Sequence, residues 1–502
     1  ENYTRHVDPK IGTGGHGHVF VGANVPFGLV QVGPTSIPQT WDWCSGYHAS
    51  DSTVIGFSHT RLSGTGIGDL FDITVMPVVG EVTYARGEEN DTASGLWSYA
   101  DRTREITKPG YYSVPLVRYG ITAELTATER VGLHRYTFPA SDAAAVVFDL
   151  ENGGCWDKAT DTGFRFSDDS TRIAGWRCST GWAKNQEVYF VAEFSKPAKG
   201  ISYLQPGEID DSKMPRIAAR YARVDFDTAE GEQVLVKVAL SPVSIEGAKA
   251  NLAAELPGWD FDATAAAADK AWNDELSKVK IETADETARR IFYTALYHTM
   301  IAPSLFCDVN GDYYGSDHAI HRNADFTNYT TFSLWDTYRA AMPLMTVLHP
   351  EKMADIVQTM LHIADEQGRL PVWHLWGNET DCIVGNPGIV AVADAIVKGI
   401  GGFDREKAFE AIRKTAMNPD RGNSLRMEYG YIPCEMFNEA VAYDMEYALA
   451  DGAAARAAEA LGKAEDAKYF EERSHSYRNY FDPATRFMRG RCLLYTSPSP
   501  RD

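Results

Sequence analysis

The chain has 502 residues, 44% apolar and 23% charged, with 48 Lys and Arg against 69 Asp and Glu, a formal net charge of −21. Such length predicts at least two domains. No run of 18 apolar residues occurs, which excludes a spanning helix, and the acidic surface makes nucleic acid and anionic lipid poor partners. The seven cysteines are scattered without a C-x-x-C pair, so neither a zinc framework nor a dense disulfide scaffold is indicated. Residue 1 is Glu, so the chain reads as processed, trimmed or a fragment, and no signal peptide is present in it.

From Val30 to about Ile245 the pattern is that of strands. Val188, Phe190, Ala192 and Phe194 alternate with Tyr189, Val191 and Glu193, and Ile121, Ala123, Leu125 and Ala127 alternate with Thr122, Glu124 and Thr126. Leu133 and Arg135 interleave with His134, Tyr136 and Phe138 in the same way. Such runs between Gly, Pro and Asp turns predict an N-terminal antiparallel β-sandwich over residues 1–250.

The period then changes. An Ala-rich stretch within 251–282 predicts a helical linker. Apolar stripes follow at Ala288–Met300, Met353–Ala364 and Ile389–Ile400, with further helices expected at 333–348, 404–416, 436–461 and 464–480. Serial helices with intervening loops suit a partial (α/α)6 barrel over 283–491, incomplete by helix count. The last residues, 492–502, read CLLYTSPSPRD, continue no periodicity, and resemble translated adapter sequence; a non-native tail is expected there.

Gly12-Thr13-Gly14-Gly15-His16-Gly17 formally matches a dinucleotide loop but neither follows a buried strand nor opens a helix, so a tight turn is expected. The same holds for Gly64–Asp69. Trp41, Trp43, Tyr47, His48 and His59 crowd a Gly-, Ser- and Asp-rich segment, where an exposed indole would stack on a sugar ring and a buried one would serve the sandwich core. Asp336 and Arg339 share one face of a helical stretch that Pro343 would kink, as an ion pair or a polar pair toward substrate hydroxyls. In Leu370–Pro387, Trp373 and Trp376 flank His374, and Glu379 follows in a loop. A carboxyl beside indoles is partly desolvated, which suits a general acid; a solvated or capping acid is the plainer reading. Glu435 and Asn438 precede another helix, where Asn438 could offer an amide oxygen to a hard cation such as Ca2+.

These stretches together resemble the glycoside hydrolase family 92 exo-acting α-mannosidases: VDPKIGTGGHGHVFVGANVPFGLVQVGP, WDWCSGYHASDSTVIGFSHTRLSGTGIGD, FSLWDTYRAAMPL, PVWHLWGNETDCIVGNPGIVAVADA and YGYIPCE. The resemblance implies a β-sandwich joined by helices to an (α/α)6 barrel, and calcium-dependent hydrolysis of non-reducing α-mannosides with inversion. It implies Glu379 as general acid, and Asn438 as a calcium ligand. Trp43, His16, Asp336, Arg339, Trp376, Cys434 and Glu435 are implied as substrate-binding residues, with Cys434 and Glu435 shaping the leaving-group subsite. The family's general-base motif, G-N-[DE]-D-x-G-Q-M-S, does not occur in this sequence. The chain as it stands is therefore expected to hold an acid without a base and to be inactive or poorly folded alone. A mannose-containing oligosaccharide is the expected partner, with slight preference for α-1,2 linkages; a monomer and a periplasmic or secreted location are also expected. A carbohydrate-capture protein on the same scaffold is the alternative.

Overall fold

The computed structural model describes residues 1–165, 169–205 and 217–494, with the backbone of 498–499 in addition. Most of the anticipated tail, 495–502, thus falls outside the described side chains. The chain divides into two compact units, 1–313 and 314–502.

The first unit is built on two antiparallel sheets of six and nine strands. Alternation sets their inner faces. In the strand Gln186–Phe194, Val188, Phe190, Ala192 and Phe194 are buried while Tyr189 and Glu193 are partly exposed. Aromatic rings meet between the sheets: Phe148 of the six-stranded sheet lies 6.0 Å from Phe190 of the nine-stranded one, and Phe226 lies 5.9 Å from Phe194. The anticipated sandwich is therefore present.

The nine-stranded sheet buries its other face too. Helix α1, Ile245–Glu255, sets Ala248 and Leu252 against Val131, Leu133, Val191 and Ala239. Helix α2, Phe261–Leu276, is the anticipated linker helix, with Asp260 capping its start by accepting from Ala263 N at 2.9 Å.

Helix α3, Glu286–His298, corrects one expected face. Tyr293, Thr294, Leu296 and Tyr297 are its buried residues, whereas Ile291 is 55% exposed. The reason is that its partners suit amphipathic side chains. Tyr293 lies 5.4 Å from Tyr3, Thr294 Oγ1 accepts from Asp8 N at 2.9 Å, and Tyr297 lies 4.5 Å from Trp272. A count of purely apolar positions passes over such a face.

A buried histidine pair joins the two sheets. His59 Nδ1 lies 2.6 Å from Ile73 O, which fixes its proton there. His59 Nε2 lies 2.9 Å from His134 Nε2, and His134 Nδ1 lies 2.6 Å from the Tyr136 hydroxyl. One proton per contact satisfies the whole chain only if both rings are neutral. Burial lowers the His59 pKa to about 4 and holds that of His134 well below the usual imidazole value.

The second unit is helical: α4 Leu334–Thr337, α5 Ala341–Leu348, α6 Pro350–Gln367, α7 Pro387–Val397, α8 Arg405–Ala416, α9 Asn423–Tyr429, α10 Ala440–Ala460 and α11 Ala464–Arg473. Helix α10 packs against α7, α8 and α11, and α6 against α5, α7 and α8. The α6 stripe is buried as its period predicts, from Met353 to Ala364. The single helix expected at 333–348 is two. The break falls at Ala340 (φ −143°, ψ −45°), and Pro343 sits in the first turn of α5, where no intrahelical N–H is needed. The helix expected from 436 begins at Ala440, because Glu439 adopts a left-handed φ of 56°.

Candidate active site

In the second unit a short antiparallel sheet carries the acid. Strand Trp373–Leu375 pairs with Phe332–Ser333 on one side and Asn378–Glu379 on the other. The two-residue connection, Trp376-Gly377, has φ of 48° and 79°, the sign pattern of a type I′ turn. Gly377 is required twice, since a Cβ there would also sit 2.4 Å from the Tyr314 ring.

This turn aims Glu379 back across its own hairpin. Glu379 Oε1 accepts from Val372 N at 2.8 Å and from Gln367 Nε2 at 3.1 Å. Oε2 accepts from Trp373 N at 2.9 Å and Asp381 N at 3.2 Å. Arg369 Nη1 stands 3.6 Å from Oε1, and the carboxylate side chain is 10% exposed. The contacts described for this carboxylate are thus N–H donors, which hold it in one orientation. Trp376 is buried, at 3% exposure, so it offers no open ring face to a sugar.

Asp336 is exposed and accepts from Ser333 Oγ. Arg339 reaches Glu446 of α10 at 3.1 Å and lies over the Trp335 ring at 4.7 Å; Tyr338 donates to the same Glu446 at 2.8 Å. The described ion pair of Arg339 is therefore with α10 and not with Asp336.

Cys434 Sγ lies 3.5 Å from Cys492 Sγ, and Glu435 Oε1 accepts from Leu493 N at 2.6 Å. Asn438 is exposed in the turn before α10. Its amide oxygen is a hard donor of the kind Ca2+ takes, whereas the thiols of Cys434 and Cys492 suit softer ions.

In the first unit the glycine-rich loops dock on the aromatic segment. Asp42 Oδ1 lies 2.7 Å from His16 Nδ1 and 3.2 Å from His18 Nε2. The His16 contact, with that of His18, holds the Asp42 carboxyl below its usual range. His18 meets Trp41 edge-on at 4.1 Å, and Trp41 Nε1 donates to Gly66 O at 3.1 Å. Trp43 stacks on His48 at 4.3 Å and donates to Asp51 Oδ2 at 2.8 Å. His48 Nε2 also lies 3.1 Å from Gly15 O, so His16 and Trp43 belong to one cluster, whose Trp41 indole is 53% exposed. At Gly17 a Cβ would fall 2.0 Å from Gly12 O, so the GTGGHGH loop is closed on itself.

Sequence reasoning passed over Gln367, Arg369, Asp42 and Glu446. Gln367 and Arg369 lie just beyond the α6 stripe, which is the one signal that could have drawn attention to them.

Comparison with known proteins decides the family. Residues 6–241 match the glycosyl hydrolase family 92 N-terminal domain, and residues 247–495 match the family 92 catalytic domain. The chain belongs to glycosyl hydrolase family 92. The catalytic-domain match runs past Arg491 into the segment anticipated as non-native.

The family 92 α-mannosidase BT3965 from Bacteroides thetaiotaomicron is 37% identical, with a TM-score of 0.94 over 100% of this chain and 68% of its own. It has also been solved in complex with mannoimidazole. The inverting mannosidase BT2199 of the same organism is 28% identical, with a TM-score of 0.86 over 98% of this chain and 67% of its own. A secreted glycosidase of Arthroderma benhamiae is 25% identical over 97% of this chain, which spans 63% of that relative's length. No helix among the described residues is long and apolar enough to cross a membrane.

Proposed function

We propose that the whole protein is an exo-acting α-mannosidase that removes terminal α-linked mannose from N-glycans or mannans with inversion. The observation that carries this reading is the fixed carboxylate of Glu379, on a fold shared at 37% identity with an α-mannosidase solved with mannoimidazole.

Glu379 is the general acid. Its Oε2 carries the looser contact, to Asp381 N at 3.2 Å, so this is the oxygen that presents a proton to the departing glycosidic oxygen. Arg339, Asp336, Trp43 and His16 contact the sugar, and Cys434 with Glu435 borders the leaving group. Asn438 would offer its amide oxygen to Ca2+. When bound, Ca2+ supplies positive charge beside the sugar hydroxyls. The general base is the carboxylate of a motif this sequence does not contain. Preference for α-1,2 linkages and a periplasmic or secreted location belong to the same reading, as does a monomeric state.

One observation favours a second reading, a sugar-capture protein without hydrolysis. Glu379 accepts from four N–H groups, as a purely structural carboxylate would.

Turnover separates the two. The whole protein should hydrolyse 4-nitrophenyl α-mannoside, reject the α-glucoside, and lose activity on thorough chelation with recovery on adding Ca2+. Mannoside binding without turnover would select the capture protein, and activity indifferent to chelation would remove the calcium role.

A further inference from the structure

A second group of donors lies behind the acid hairpin. Asp317 and His321 stand in the 314–321 turn, and Glu366 is the penultimate residue of α6. His321 Nε2 lies 3.0 Å from each Asp317 oxygen and 3.4 Å from Glu366 Oε2. One ligand atom from each residue falls within 4.8 Å of the others.

A single Nε2–H can be shared between the two Asp317 oxygens, and the Glu366 carboxylate then brings a second negative charge to the same nitrogen at 3.4 Å. With a lone pair on Nε2, His321 and the two carboxylates would offer a cation one donor atom each, all within 4.8 Å of one another. Donors about 2.0–2.1 Å from a tetrahedral ion lie about 3.3 Å apart, close to the 3.0 and 3.4 Å from His321 Nε2 to the two carboxylates.

The surroundings hold these donors together. Ser316 N donates to Glu366 Oε1 at 3.1 Å. At Gly315 a Cβ would fall 2.6 Å from Asp317 Oδ1 and 2.7 Å from His321 Nε2, so any larger residue would displace the pair. The Glu366 side chain is 6% exposed, whereas Asp317 and His321 are 34% exposed and leave an approach from solvent.

We propose that Asp317, His321 and Glu366 bind a divalent transition-metal ion of the Zn2+ class, clamping the 314–321 turn to the end of α6. Two carboxylates balance the ion's charge, and an imidazole nitrogen selects it over Ca2+ and Mg2+, which take oxygen. Gln367, next to Glu366, donates to Glu379, so the clamp also steadies the residue that holds the acid. The metal-binding claim itself is independent of the mannosidase reading.

Calorimetric titration of the chain with Zn2+ tests this, in a Cys434→Ser background that disables the thiol group near Cys492. One equivalent should bind and raise the melting temperature. Co2+ in its place should give visible ligand-field bands without thiolate charge transfer. His321→Ala should weaken binding at least tenfold, and the near-isosteric Glu366→Gln should do so in a chain whose circular dichroism is unchanged. Absence of binding at millimolar Zn2+, or undiminished parental affinity in the folded Glu366→Gln and His321→Ala variants, would overturn the proposal.

Discussion

The amide nitrogen of Gln367 bridges two acceptors, Glu379 Oε1 and Arg369 O, each at 3.1 Å. One side chain at the end of α6 thereby ties the acid hairpin to a long buried helix. A carboxylate on a two-stranded hairpin alone would keep several rotamers.

Gln367→Ala should therefore act on rate more than on affinity. Losing one hydrogen bond to a charged group is worth about 1.5–3 kcal/mol, or roughly 10–100-fold in kcat. KM for the mannoside should stay within about twofold if the bond steadies the acid and not the sugar. A matching rise in KM with unchanged kcat would show that Gln367 serves binding.

Gly377→Ala should disable the same hairpin from the other end. The substitution places a Cβ 2.4 Å from the Tyr314 ring, in a backbone region that costs an L-residue about 1–2 kcal/mol before any clash. Steady-state kinetics should show a larger loss than for Gly399→Ala, which shares a positive φ but whose Cβ would meet Arg405 Nη2 only at an ordinary 3.8 Å. Equal effects would mean that the turn does not set the acid's position.

The paired histidines predict how the sandwich responds to acid. His59 is depressed to about 4 by burial, so its contribution to stability is fully present above the unfolded value near 6.5 and is lost as pH falls through 4. From pH 6.5 to pH 4, urea midpoints of the parent should fall relative to those of a His134→Phe variant, where the partner ring cannot charge. Tyr136→Phe, which strips the donor from His134 Nδ1, should cost about 1–3 kcal/mol at pH 7. Identical pH profiles in the parent and His134→Phe chains would contradict the neutral pair.

Asp69 behaves with the opposite sign. Burial raises its carboxyl to about 6, and its Oδ1 has no hydrogen-bond partner. Its stabilising effect is present below the unfolded value near 3.8 and lost as pH rises through 6. Asp69→Asn should remove a decline on the order of 3 kcal/mol between pH 4 and pH 8, read from denaturant midpoints; an unchanged decline would assign the effect elsewhere.

Much of this was legible in the sequence. Alternation at Val188–Phe194 gave a strand and its inward face, because sheet burial follows a period of two with apolar side chains. The α6 stripe was equally plain. Helix α3 was misread because Tyr and Thr fill its buried face, and the break at Ala340 was assigned to Pro343 because a proline signals more loudly than a backbone torsion. Glu379 stood out by its motif, yet its surroundings did not. Val372, Trp373 and Asp381 serve it through backbone N–H groups, which no residue type announces.

The central claim is that Glu379 gives a proton to the leaving sugar. Glu379→Gln in the whole protein should cut turnover of an α-linked mannobiose by about 10²–10⁴-fold, with mannose affinity retained. The loss should be smaller on 4-nitrophenyl α-mannoside, whose phenolate departs without a proton. Undiminished mannobiose turnover in the folded variant would contradict the assignment.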